Sequence, residues 1–166
     1  LTASPWERLR RIRKAVPNVC TQMLIRGANG VGYTSYPDNV IEDFVALAAK
    51  NGLDVFRIFD CFNDVGNMEV AIRAVRKANK VAEVAVCYTN DILTSEVYNA
   101  EYYRNVCARA RAAGAHMIAI KDMAGLLKPN GCSTLMAAMR EGAGPDLPIH
   151  FHTHATSAAS LATALK

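Results

Sequence analysis

The alternation of short apolar runs with helical patterns constrains this chain more than any other feature. Five runs, closing at Ile25, Phe59, Tyr88, Ile120 and His154, are each followed by a helix or the start of one. The step from one run to the next is about 30 residues, the span a strand–helix–strand unit needs when successive strands are parallel. A first helix is expected over 5–15, with Ser4 as its cap and Pro5 in its first turn. Strands follow over 19–25, 54–59, 84–88, 116–120 and 149–154. Between them the pattern predicts a Gly-rich loop over 26–37, then a helix capped by Asp38 with Val40, Ile41, Phe44, Val45 and Leu47 as its apolar positions. Further helices are predicted over 67–80 with Met68, Ala71, Ile72 and Val75 inward, over 100–113 and over 133–141, with a last one from Ser157 onward. The chain is therefore α/β with right-handed crossovers. Two architectures fit, an open doubly wound sheet and part of a (β/α)₈ barrel. A whole barrel needs roughly 200 residues or more. This sequence has 166, opens in a helix and closes in one, as a barrel cut at both ends would.

Composition excludes several classes. At 51% hydrophobic and 20% charged, the chain can bury a core. Its net charge of +4 is mild and sits largely in the 8–14 run. With no basic stripe interleaved with aromatics, no nucleic-acid partner is expected. No apolar run reaches membrane-spanning length and no signal-peptide pattern is present, so no membrane association is expected. Cysteines 20, 61, 87, 107 and 132 are widely spaced and form no CxxC. They read as reduced thiols, four of them in apolar stretches and expected to be small buried side chains.

In parallel α/β folds ligands bind at the C-terminal ends of the strands. Those ends carry Arg26-Gly27, Asp60 with Asn63, Tyr88-Thr89, Lys121-Asp122, and His152 with His154. On the last strand His150, His152 and His154 share one face, while Ile149, Phe151 and Thr153 share the other. Two imidazoles at i and i+2 can reach one metal ion. Arg26 can hold a carboxylate in a bidentate fork. The GxxGxG loop after it matches no phosphate fingerprint. Lys121 emerges from an apolar strand, where burial favours the neutral amine. A neutral amine can take up carbon dioxide as a carbamate, an oxygen ligand beside the two histidines. The alternative is an ordinary ion pair with Asp122 or Asp60.

Five stretches add a resemblance. They are Arg26-Gly27-Ala28-Asn29, Gly32-Tyr33-Thr34-Ser35-Tyr36-Pro37-Asp38-Asn39-Val40, Val55-Phe56-Arg57-Ile58-Phe59-Asp60, the run from Ile120-Lys121-Asp122-Met123-Ala124-Gly125 to Leu126-Leu127-Lys128-Pro129, and His152-Thr153-His154. Together they resemble the carboxyltransferase domain of the pyruvate carboxylase family, and the similarity runs through essentially the whole chain. The same domain type occurs in the oxaloacetate decarboxylase alpha subunit and the transcarboxylase 5S subunit.

The resemblance implies a partial (β/α)₈ TIM barrel, roughly strands two to six with their helices, so that residues 1–166 form a fragment of a single carboxyltransferase domain. Lys121 matches the family's carbamylated lysine, and His152 and His154 match its metal-binding histidines. His150 would sit deeper in the barrel. Arg26 matches the arginine that holds the pyruvate carboxylate, and Tyr33 matches an active-site tyrosine. Asp60 is expected to orient groups near the cavity. The implied metal is zinc or manganese. The family's remaining ligand, an aspartate of the first strand, and its proton-shuttling threonine after the sixth lie outside this chain. The implied partners are pyruvate and a carboxybiotin on a carrier domain outside this chain, with ATP used elsewhere in the full-length enzyme. A homo-oligomer in a bacterial cytoplasm or a mitochondrial matrix is implied as well. The implied reaction is release of carbon dioxide from carboxybiotin, loss of a methyl proton from pyruvate, and attack of the enolate on carbon dioxide to give oxaloacetate.

One stretch departs from the family. His-Thr-His usually continues Asp-Thr-Ser-Gly, whereas this chain has Ala155-Thr156-Ser157-Ala158. Ala at the first position also occurs in the decarboxylase relatives, and Ala158 for Gly is expected only to stiffen the helix start. Rival readings are a decarboxylase or transcarboxylase subunit, a metal-dependent aldol-type lyase or synthase, and a non-enzymatic fragment. The fragment alone is expected to be inactive and prone to aggregate, since its strands read as apolar on both faces.

Overall fold

A computed structural model describes residues 4–154, 156 and 158–166. The elements alternate as expected: α1 Pro5–Ala15, β1 Gln22–Ile25, α2 Asp38–Lys50, β2 Val55–Phe59, α3 Glu69–Lys77, β3 Val81–Cys87, α4 Ala100–Ala113, β4 Met117–Asp122, α5 Pro129–Ala143, β5 Ile149–Thr153 and α6 Ser160–Ala164. All five strands are parallel, in the order β1-β2-β3-β4-β5. Each crossover moves one strand further the same way. A doubly wound sheet reverses direction at a switch point, and this one does not. The sheet is an arc of a barrel, and among the described residues β1 and β5 do not meet.

The register sorts side chains onto two unlike faces. Outward, toward the helices, point Ile25, Phe56, Ile58, Val84, Ile118 and Ile120, all buried. Against them pack Ile41 and Val45 of α2, Ile72 and Val75 of α3, Tyr103 and Cys107 of α4, and Leu135 and Met139 of α5. The other face would be the barrel interior, and it mixes polar groups with apolar ones such as Leu24, Phe59, Ala85 and Ala119. Gln22 and Arg57, Glu83, Lys121, then His150 and His152 occupy it. The expectation of strands apolar on both faces is thus corrected.

Several boundaries differ from the sequence reading for identifiable reasons. Helix α5 starts at Pro129 rather than 133, because proline is suited to a first helical turn. It also runs through Gly142, which a Cβ would drive into the Arg104 carbonyl of α4. That glycine serves close helix packing, not termination. Strand β1 is shorter than predicted, and β3 begins earlier, at Val81. A 3₁₀ turn over Gly66–Met68 precedes α3. Asp38 is the first residue of α2 and Pro37 its cap, with no side-chain cap bond. On α2, Val40 and Leu47 are exposed, and Ile41, Val45 and Ala48 form the buried stripe. Cys87, Cys107 and Cys132 are buried, but Cys20 and Cys61 are exposed. Ala155 and the start of the last helix at Ser157 lie outside the described residues; Ala158 is not helical but has φ 56°. A left-handed alanine costs about 1–2 kcal/mol relative to glycine, so the departure from the family's Gly strains the backbone here rather than stiffening a helix.

The open edges carry an expected outcome. An apolar groove of about 650 Å³, lined by Trp6, Leu9, Ile12, Met23, Phe44 and Leu53, lies along the β1 side. Unpaired strand edges beside apolar surface template association. Residues 1–166 expressed alone should therefore elute from size-exclusion chromatography as soluble aggregates that bind a hydrophobic dye. A monodisperse, cooperatively melting monomer would contradict this.

Candidate functional site

The strand tops hold the predicted site residues, and their backbones explain why they stay there. After β1 the chain turns through a 3₁₀ segment, Gly27–Asn29, closed by the Arg26 N–H donating to the Gly30 carbonyl at 2.7 Å. Gly27 has φ 47°, and a Cβ there would lie 2.8 Å from the Asn67 carbonyl oxygen. Only glycine lets this turn approach the β2–α3 loop so closely. The turn leaves Arg26 half-buried, with its guanidinium carbon 4.8 Å from the centre of the Tyr33 ring. Tyr33 itself is 86% exposed.

Lys121 stands at the end of β4, half-buried, with Nζ 4.3 Å from the centre of the Phe59 ring. Such a contact is a cation–π interaction. Lys121 pairs with neither candidate aspartate. Asp60 spends Oδ1 on the Phe62 and Asp64 amides, at 2.8 and 3.1 Å, and Oδ2 on the Asn67 side-chain amide at 2.8 Å. Asp122 is 1% exposed and accepts from the Leu126 and Leu127 amides and the Thr153 hydroxyl. The ion-pair alternative for Lys121 is therefore set aside. Arg26, Tyr33, Phe59, Asp60, Lys121 and Met123 line one cleft of about 370 Å³. Cys61 is exposed at its rim, whereas burial pushes the Cys87 thiol beneath it up to about 11.

His152 is the register partner of Lys121 across the β4–β5 ladder. The His152 and His154 rings lie 5.3 Å apart, centre to centre. They are not among the residues lining the Arg26 cleft, so Lys121 is the group that joins the two halves of the site. Burial, helped by the Arg57 charge, lowers the His152 imidazole below its ordinary range. It is neutral near pH 7, as a ligand imidazole must be.

Below this layer lies a network the sequence reading did not identify. Arg57, 9% exposed, is ion-paired with Glu83, 1% exposed. Gln22 donates to Glu83 at 3.2 Å, and His150 Nδ1 lies 3.1 Å from the same carboxylate. Arg57 reaches His150 Nδ1 at 2.7 Å and His152 Nδ1 at 3.3 Å. A guanidinium only donates, so His152 Nδ1 accepts in this arrangement. Ligation through His152 Nε2 would need the proton on Nδ1, and would release the Arg57 bond. His150, turned into the network, sits deeper than His152 and His154, as expected.

Whether these residues suit a metal follows from their donors. Among the described residues no group of three or more His, Cys, Asp or Glu could hold one. The chain offers two imidazoles and, beside one of them, a lysine without an anionic partner. That set suits a divalent ion only if the lysine becomes an oxygen donor. The donor types fit; the set is incomplete without a ligand from elsewhere.

Parallel strands in unbroken order, with an arginine, a lysine and two histidines at their C-terminal ends, define a segment of a (β/α) barrel with a polar site at its top. No family model matches the chain. It is 53% identical over 159 residues to pyruvate carboxylase of Bacillus subtilis and 47% identical over 163 residues to the human mitochondrial pyruvate carboxylase. These alignments take in 95% and 97% of the chain, and 14% of each relative. Its structure matches the carboxyl transferase domain from Rhizobium etli pyruvate carboxylase with a TM-score of 0.93 and 56% identity, over 99% of this chain and 28% of that one. In sequence and in fold the chain corresponds to a stretch of the carboxyl transferase domain of pyruvate carboxylases. That Rhizobium domain has been solved with pyruvate and biocytin.

The floor network gives a testable consequence. Removing one partner of a buried ion pair costs about 3–5 kcal/mol, whereas replacing both with matched neutral side chains is often close to neutral. Arg57→Met should destabilise the folded protein by that amount in urea melts. Adding Glu83→Gln should recover more than half of the loss. Additive losses would show that the two charges do not depend on one another.

Proposed function

We propose that this chain contributes to a carboxyl transferase site that moves a carboxyl group from biotin to pyruvate, giving oxaloacetate. The supporting observation is the convergence of Arg26, Tyr33 and Lys121 on one cleft, with His152 and His154 beside Lys121. Residues 1–166 would be part of a single such domain. The chain spans about 14% of its relatives' length, so biotin carboxylation with ATP and the biotin carrier would belong to other parts of the protein. No helix among the described residues is long and apolar enough to cross a membrane. The compartments proposed are a bacterial cytoplasm or the mitochondrial matrix, with a homo-oligomer as the assembled form.

In this reading Arg26 grips the pyruvate carboxylate through its fork, and Tyr33, stacked against the guanidinium, closes the same side of the cleft. The Phe59 ring and the cleft walls shed water around Lys121. The lysine amine adds to carbon dioxide and loses one proton, leaving a carbamate whose oxygen is anionic. That carbamate, His152 and His154 would hold a zinc or manganese ion, with a further ligand from outside the chain. When bound, the ion would act as a Lewis acid toward the keto oxygen of pyruvate and favour loss of a methyl proton.

Two measurements test this. In the full-length enzyme, Lys121→Ala and His152→Ala should each lower bound metal well below one ion per chain, read by elemental analysis after dialysis. Full occupancy in both removes the ligand assignment. Arg26→Lys keeps the charge and loses the fork. A charge-assisted hydrogen bond contributes about 1.5–3 kcal/mol, so pyruvate-dependent turnover should fall by at least about tenfold. ATP-dependent biotin carboxylation should be unchanged. An unaltered response to pyruvate takes Arg26 out of the site.

A further inference from the structure

The lysine and the two histidines stand on different strands, and their spacing depends on how those strand tops are joined. The last register pair of the β4–β5 ladder is Asp122 with Thr153. Strand ends are where ladders open first, so a ligand set placed at the last rungs needs something more than backbone pairing. Asp122 supplies it. Its Oδ1 accepts from the Leu126 N–H at 2.8 Å, and its Oδ2 accepts from the Leu127 N–H at 3.1 Å and from the Thr153 hydroxyl at 3.3 Å. Its backbone carbonyl accepts from the His154 N–H at 3.3 Å. The Thr153 hydroxyl is also 3.5 Å from the His154 carbonyl. One buried carboxylate therefore touches the β4–α5 loop and the residue lying between the two histidines.

Alternation makes the arrangement informative. Thr153 points to the face opposite His152 and His154, so its hydroxyl takes no part in the cleft. A valine would satisfy the strand equally well, since both are β-branched. The hydroxyl matters because it ties the His152–His154 step to the neighbour of Lys121. We infer that Thr153 and Asp122 are positioning residues, a clamp on the helix-facing side that sets His152 and His154 against Lys121. This rests on the ligand reading proposed above.

The test uses the full-length enzyme and zinc alone as the probe. Thr153→Val removes the hydroxyl and keeps the branch, Thr153→Ser keeps the hydroxyl, and Thr153→Ala serves should valine disturb folding. Zinc affinity is measured by competition with a chelator, well below each variant's melting temperature, with Lys121→Ala as the control on the site itself. Loss of an outer partner of metal ligands typically weakens affinity about 10–100-fold. The valine and alanine variants should bind zinc at least about tenfold more weakly, and the serine variant should match the parent. Parental affinity in the valine and alanine variants, whatever their melting temperatures, overturns the clamp, as does equal loss in the serine variant. If Lys121→Ala also keeps parental affinity, the ligand reading fails and the clamp with it. If only Lys121→Ala loses zinc, the ligand reading stands and the clamp is wrong.

Discussion

A parallel ladder decides which side chains meet, and here one register sets both the floor and the top of the interior. With Arg57 opposite Glu83, Ala119 opposite His150 and Lys121 opposite His152, the polar groups of four strands fall on a common face. A slip of one residue in β5 would turn every histidine toward the helices and bring Ile149 and Phe151 inward. The outer core guards against that slip, because Ile149 and Phe151 pack against it. Hydrophobic burial on one side of the sheet thus fixes the chemistry on the other.

Two polar layers with different characters follow. The lower one, Gln22, Glu83, Arg57 and His150, is bonded within itself around a buried Arg57–Glu83 pair, with Gln22 and His150 open to solvent at its edges. Buried ion pairs add little net stability over apolar replacements, but they penalise strongly any arrangement that separates them. The layer therefore selects the register more than it strengthens the fold. The upper layer is open. Arg26 and Lys121 rest on aromatic faces instead of carboxylates, which leaves the guanidinium open to an incoming carboxylate and the lysine nitrogen without an acidic partner. Asp60 and Asp122, the acids nearest by sequence, are occupied with backbone amides and hold the loops in place.

Much of this was legible in the residues themselves. The alternation gave the parallel strands and their helices but fitted an open sheet as well as a barrel arc, which only the family resemblance separated, and the strand-top residues were the polar ones that closed each apolar run. The floor network was missed because Arg57 sits inside a run that reads as apolar, and because Glu83 fell outside the third strand, which was expected to begin only at Val84. The available signal was a single charge in each of two consecutive apolar stretches, of opposite sign and paired in register. Helix α5 was expected over 133–141, but it begins at Pro129 and runs on through Gly142, whose role is the close approach of α4. At Gly142 helix–helix contact overrode glycine's backbone habit, whereas Pro129 follows proline's own fitness for a first helical turn. Ala158 shows the reverse, a side chain placed where the backbone conformation prefers none.

The central claim is that Lys121, His152 and His154 converge on one ion while Arg26 faces it across the cleft. The most direct measurement is an anomalous difference map from crystals of the full-length enzyme grown with manganese, recorded above and below the metal edge. The account predicts one strong peak within bonding distance of both His152 and His154, with extra density on Lys121 Nζ reaching the same peak. A peak elsewhere, or one at the histidines with an unmodified Lys121 turned away, would contradict it.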